Sequence, residues 1–187
     1  MTRLDMPSEQ DLSAEQRVVI AEVIAGRRGH VPAPMIAWLR NPELARRAQH
    51  LGELFRFNTS LAPALSELAI LVCGRHWTSH HEWTAHKKIA LAAGVDSKII
   101  DDIAAGRIPL FSAPLQDVVY QVSSTLLSSG KLPNTLYQHG VDTLGEKAMV
   151  ELVGIIGYYS MVALTLNAFE IGLPENFAPE LASSAVD

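Results

Sequence analysis

The chain has a single cysteine, Cys73, among its 187 residues, so no intrachain disulfide can form. Charged side chains make up only 19% of it, with a net charge of −5. No stripe of Lys and Arg and no interleaving of basic with aromatic residues is present, and nucleic acid is therefore not an expected partner. Alternating β-branched residues, the mark of a half-buried strand, are also missing. The stretch Met1-Thr2-Arg3-Leu4-Asp5 runs on into polar residues with no apolar signal-peptide core, which makes a cytoplasmic protein the expectation. Neither an internal repeat nor a low-complexity linker interrupts the sequence, so one domain over residues 1–187 is expected.

What the chain does have is apolar residues, 48% of the total, enough at this length for a sizeable core. From Leu152 to Phe169 no residue carries a formal charge, a length at the lower edge of a membrane span. Gly154, Gly157, Ser160, Thr165 and Asn167 dilute that run, and Glu151 and Glu170 bound it without a basic anchor. The reading is a buried central helix, apolar all round, and no membrane partner.

The punctuation is helical throughout. Ser13-Ala14-Glu15-Gln16 reads as a capping box and Gly26 as the stop of the helix it opens. Pro32, Pro34 and Pro42 leave room for a short turn around Met35–Leu39, and a helix follows from Pro42 to about Phe57. Pro63 opens another, with Leu65, Leu68, Ala69, Val72 and Cys73 on an apolar stripe that ends near Trp77-Thr78. Ser79 caps a helix that stops at Gly94, and Asp96 caps a short one ending at Gly106. Helices then run from Ser112-Pro114 to Gly130, from Pro133 to about Leu144, and from about Glu146 to Ile171, with Gly172 and Pro174 as the exit. The Ala-, Ser- and Pro-rich tail after Phe177 is expected to fray. About eight helices with short connections predict an all-α compact bundle.

Residues that can carry chemistry concentrate between Glu67 and Gly94. At about 100° per residue, Ser79, Glu82 and His86 share one helix face. Glu82 lies four residues before His86, where a carboxylate can hydrogen-bond the imidazole and fix its tautomer. Glu67, on the preceding helix, can fold back beside them, completing a possible proton relay of hydroxyl, carboxylates and imidazole. Ser79-x-x-Glu82 is equally a capping box, which would account for both residues without any function.

His76, His80, His81 and His86 raise the question of a metal. His81 and His86, in an HExxxH spacing one residue too long for a metalloprotease, point about 140° apart on a helix. His76 and His80 have i,i+4 spacing, but Trp77-Thr78 divides them between two elements. No metal site is therefore assigned. Cys73, on an apolar stripe, reads as an inert buried residue, Trp77 and Trp83 as packing residues, and Lys87 and Lys88 as a solvated face.

The cluster Glu67, Ser79, Glu82, His86, followed by Ile89-Ala90-Leu91-Ala92-Ala93-Gly94-Val95, resembles the carboxymuconolactone decarboxylase family, which includes the AhpD-type alkylhydroperoxidases. The likeness spans roughly Glu43 to Leu127, and more loosely the long final helix of members that lack peroxidase cysteines. In the peroxidase branch a glutamate precedes a Cys-x-x-Cys by twelve residues and a histidine follows its second cysteine by four. Those positions fall on Glu67, Ser79, Glu82 and His86 here, so the spacing is kept and both thiols are gone. Neither a hydroxyl nor a carboxylate can exchange a disulfide, and Cys73 is at neither position.

The lactone-decarboxylating branch, as the resemblance implies, works without the thiols and keeps a histidine on this helix. It implies an AhpD-like bundle, no cofactor, and a trimer or hexamer. The expected activity is proton transfer on a small organic acid or lactone, with decarboxylation the named guess. His86 would be the acid, Glu82 or Glu67 would set its protonation state, and Arg75 and Arg107 are the nearest cations for a carboxylated substrate. A residual peroxidase and a non-catalytic binding protein on the same fold are the alternatives.

Overall fold

A computed structural model describes residues 2–173 and 176–182. Among the described residues there are nine helices and no strand. They are α1 (Ala14–Ala25), α2 (Met35–Trp38), α3 (Pro42–Phe57), α4 (Pro63–His76), α5 (His80–Ala92), α6 (Ser97–Ala104), α7 (Pro114–Ser129), α8 (Asn134–Leu144) and α9 (Glu146–Ala168). The expected turn around Met35–Leu39 is the one-turn α2, and α9 ends three residues before Ile171.

The helices begin where backbone chemistry favours it. Proline occupies the first turn of α3, α4 and α7, where its missing N–H would have had no partner. Asn41 accepts from the Leu44 N–H at 3.1 Å and Asp96 from the Lys98 N–H at 2.8 Å, each satisfying a donor at a helix start. Gly130 closes α7 in the left-handed region at φ 71°, which a residue without a β-carbon adopts freely.

The helix buried on all sides is α4, not α9. Ten consecutive residues from Leu65 to Gly74 are buried, and α5, α7 and α9 pack around them. α9 is long and apolar enough to cross a bilayer, yet it is a two-faced element. Leu152, Ile155, Ile156, Tyr159, Val162 and Leu166 point into the core, whereas Val150, Val153 and Leu164 are exposed. One continuous apolar cluster joins α1 to α9. Its last member is Leu181, so the tail is docked as far as that residue, and Glu180 pairs with Lys87 on α5. The tail after Phe177 was expected to fray, and the burial of Leu181 corrects this for the described part; residues 183–187 and the Pro174 exit lie outside the described residues.

Candidate functional site

α4 and α5 are joined by a corner that decides how the site is built. Trp77 ends α4, and Thr78 takes the left-handed region at φ 49°, an uncommon conformation for a β-branched residue. The Ser79 N–H then reaches back to the Gly74 carbonyl at 2.8 Å, as in a Schellman ending. α5 therefore doubles back against α4, bringing Glu67 opposite His86 although they are 19 residues apart in sequence.

His86 Nδ1 donates to Glu67 Oε2 at 2.7 Å, with both side chains buried. The partner expected from helix spacing was Glu82, and the structure corrects this. Glu82 is 2% exposed, and neither of its carboxyl oxygens has a hydrogen-bond partner among the described residues. It turns against α4, where a β-carbon on Gly74 would sit 3.6 Å from Glu82 Oε1. Burial, and secondarily the charge of Glu67, push its carboxyl well above the ordinary carboxylate range, which favours the protonated form.

The capping-box reading of Ser79 and Glu82 fails for the same reason. A box needs the cap residue's backbone N–H free for the glutamate, and that N–H is already bound to Gly74. Ser79 sits at the cap position, but its hydroxyl is fully buried without a partner among the described residues. It faces a neighbouring cavity beside the docked tail rather than the one that His86 lines.

His86 and Glu82 line a cavity of about 470 Å³. Its apolar wall comes from Val31, Pro32, Pro34, Trp38, Ile89 and Val162, and its polar groups are Arg28, His30, Arg56, His81, Tyr158 and Tyr159. Tyr159 meets the His86 ring edge-on, with centroids 4.9 Å apart, and Tyr158 packs on Tyr159 at 5.2 Å. Burial raises the pKa of both phenols, so each is a neutral O–H. Tyr158 fits only because residue 52 is glycine, since a β-carbon there would lie 2.2 Å from its hydroxyl oxygen.

The two arginines are the residues that sequence reasoning missed. Arg28 comes from the α1–α2 loop and Arg56 from the last turn of α3. Arg27 is anchored through its N–H to Glu53 at 3.1 Å and through its guanidinium to the Phe57 carbonyl at 3.2 Å, which leaves its neighbour Arg28 to face the cavity. Among the described residues neither Arg28 nor Arg56 forms an ion pair with a carboxylate. Arg75 and Arg107, expected to serve a substrate, line a different cavity between α4, α6 and α7, where Arg107 is held by Asp102 at 2.7 Å. Only the pair Arg27-Arg28, next to Gly29, hinted at the right residues, and nothing local ties that loop to His86.

Cys73 is fully buried, its thiol pushed up by burial and then by the nearby Glu82. Trp83 is buried, and Trp77 donates to Ser160 at 3.0 Å, so both are packing residues. His81 shares the cavity with His86 despite their divergence on α5, and its Nδ1 donates to the Gly172 carbonyl at 2.8 Å. No group of three His, Cys, Asp or Glu side chains among the described residues is placed to hold a metal ion.

No protein-family model matches the chain, and no curated protein sequence does. Solved structures do. One is the alkylhydroperoxidase AhpD core of an uncharacterized peroxidase-related protein from Ralstonia eutropha, which superposes with a TM-score of 0.77 over 93% of both chains at 14% identity. At that identity the likeness speaks for architecture alone: the chain has the all-helical fold of the AhpD core.

Proposed function

We propose that this protein is a cofactor-free proton-transfer enzyme acting on a small organic acid or lactone, of the carboxymuconolactone decarboxylase type. The observation that carries the reading is the buried His86–Glu67 hydrogen bond at 2.7 Å, which opens on a cavity with two unpaired arginines among the described residues. Glu67 occupies Nδ1 and fixes the ring, so Nε2 is the nitrogen left to exchange a proton with a bound molecule. Arg28 and Arg56 supply planar donors suited to a carboxylate, and the Val31, Pro32, Ile89 and Val162 wall suits a small hydrocarbon ring.

In a carboxylated unsaturated lactone, breaking the C–C bond to the carboxylate releases carbon dioxide and leaves the electron pair in a dienolate. Protonated His86 delivers one proton from Nε2 to carbon, and water returns that proton to the ring. Glu82 lines the same cavity with its carboxyl oxygens buried against α4, so the charge developing on the enolate oxygen falls to the Arg28 and Arg56 guanidiniums. The apolar wall limits the water that would compete with these contacts.

The solved neighbour is described as peroxidase-related, and thiol peroxidase chemistry is the competing reading. It needs an accessible thiolate and a resolving partner. Ser79 and Glu82 stand at the two cysteine positions, and Cys73 is buried with its thiol held protonated.

Turnover of a carboxylated unsaturated lactone in heavy water, followed by NMR, tests the proposal. One deuteron should appear at the product carbon as carbon dioxide is released, and His86→Ala should stop both. Arg28→Gln and Arg56→Gln should raise KM more than they lower kcat. Peroxide consumption that depends on Cys73, with no lactone turned over, would replace this reading with the peroxidase one.

A further inference from the structure

Arg75 and Arg107 line a second cavity, of about 320 Å³, that has no part in the chemistry proposed for His86. It lies between the last turn of α4, the end of α6 and one side of α7, and it shares no lining residue with the His86 cavity. No carboxylate lines it among the described residues. Val72, Ile103 and Leu127 make its wall apolar, and α7 adds the hydroxyls of Tyr120, Thr125 and Ser128. A cation and hydroxyls set over aliphatic carbon suit a small amphipathic anion.

The charge of this cavity comes from Arg75. Arg107 is neutralised, because Asp102 Oδ1 accepts from its Nε at 2.9 Å and from its Nη2 at 2.7 Å. Burial pulls the pKa of His76 down, so its imidazole adds no charge at neutral pH. Arg75 has no carboxylate partner among the described residues. Its Nη1 donates to Thr78 Oγ1 at 3.4 Å, its Nε is buried without an acceptor among those residues, and its Nη2 is likewise unpaired. The dipole of α4 favours a cation in the last turn, yet the Arg75 guanidinium donates to none of that helix's carbonyls. Packing holds it instead. Gly106, in the left-handed region at φ 70°, brings its backbone so close that a β-carbon there would lie 3.5 Å from Nη2. A guanidinium held in this way has lost hydration without gaining an acceptor, and an incoming anion restores what was lost.

We propose that the cavity between α4, α6 and α7 is a second binding site, for a small organic monocarboxylate whose charged end meets Arg75 and whose apolar body lies on Val72, Ile103 and Leu127. A single unneutralised cation favours one negative charge over a phosphate dianion, and the planar donors of a guanidinium match the two oxygens of a carboxylate. Ser128 spends its hydroxyl proton on the Thr125 carbonyl at 3.2 Å, which leaves the Thr125 and Tyr120 hydroxyls to donate to the same anion. The volume suits one ring-sized molecule.

Titration of the full chain with benzoate tests the site, read by nitrogen-15 NMR at the Gly106 and Thr125 amides and at the Arg75 Nε–H. Those signals should move with benzoate, and benzamide, its neutral isostere, should bind about tenfold more weakly or worse. Inorganic phosphate should also bind more weakly than benzoate. Arg75→Gln should weaken benzoate about tenfold at the two amides, whereas Arg28→Gln, in the other cavity, should leave their response unchanged. Ser128→Asp, at an exposed position of α7, adds a carboxylate to the cavity wall and should give the same loss, which keeps the test open should Arg75→Gln disturb folding. Amides that do not move, shifts that persist in either folded variant, or benzamide or phosphate binding as tightly as benzoate would each overturn the proposal.

Discussion

α1 and α5 begin with the same local pattern, a serine followed three residues later by a Gln or Glu, and they use it in opposite ways. At α1, Ser13 accepts from the Gln16 N–H at 3.2 Å while its own N–H donates to the Gln16 side chain at 2.8 Å. At α5 neither bond exists. The Ser79 N–H is committed to ending α4, and the Ser79 hydroxyl and the Glu82 carboxyl are buried without partners among the described residues. One start is a solvated local motif, and the other borders the candidate site. Leaving buried polar groups unpaired costs roughly 1–3 kcal/mol each, a cost found where a site rather than the fold needs the group.

The largest effect that would break this contrast is kinetic. His86→Ala and Glu67→Gln should lower kcat by roughly a hundredfold to ten-thousandfold, the range for lost acid–base catalysis, with helix content unchanged by circular dichroism. Equal losses from Ser13→Ala would show that activity merely follows stability. Next comes packing behind the cavity. Gly52→Ala forces a β-carbon against the Tyr158 hydroxyl, and chemical denaturation should show about 1–3 kcal/mol of lost stability.

The third effect depends on pH. Glu82 has a folded pKa raised above its unfolded value, so the stability linked to its proton is fully present below the unfolded pKa. That stability is lost as pH rises towards the folded pKa, by up to about 1.4 kcal/mol per pH unit for a single group. Glu82→Gln removes the dependence, and its denaturation midpoint should gain on the wild type between mildly acidic and neutral pH. A difference that stays flat with pH would mean that Glu82 is ionised in the folded protein.

The smallest effect sharpens the contrast most. Ser13→Ala should cost about 1 kcal/mol, as lost N-caps do. Ser79→Ala should cost nothing, or stabilise by up to about 1 kcal/mol, because it deletes a buried hydroxyl that has no partner among the described residues. Thermal melts of the two variants side by side give the comparison directly, and equal losses would restore the capping box at α5. Cys73→Ala should leave turnover where it was.

Much of the architecture was legible before any coordinates. Ser13, Asp96 and the prolines at 42, 63 and 114 act within one turn of themselves, so the helices begin close to where these residues place them. The central helix was misassigned because hydropathy identifies apolar length, and Leu152–Phe169 has more of it than Leu65–Gly74. Which helix is covered on every side depends on its neighbours, and α4 has α5, α7 and α9 around it. Spacing grouped Glu67, Ser79, Glu82 and His86, but it offered Glu82 as the partner of His86, and the structure brings Glu67 there instead. An i,i+4 carboxylate is the nearest partner on an isolated helix, and a carboxylate on another helix displaces it only after the chain has folded.

The sequence by itself determined about eight helical segments, most of their starts and stops, and a short list of residues able to move protons. Those features arise from backbone donors, acceptors and side chains within a few residues of one another. Tertiary structure alone decided that Glu67 holds His86, that burial pushes the Glu82 carboxyl towards its protonated form, and that Arg28 and Arg56 line the same cavity. Each of these depends on desolvation and on contact between segments far apart in the chain, and no local pattern encodes either.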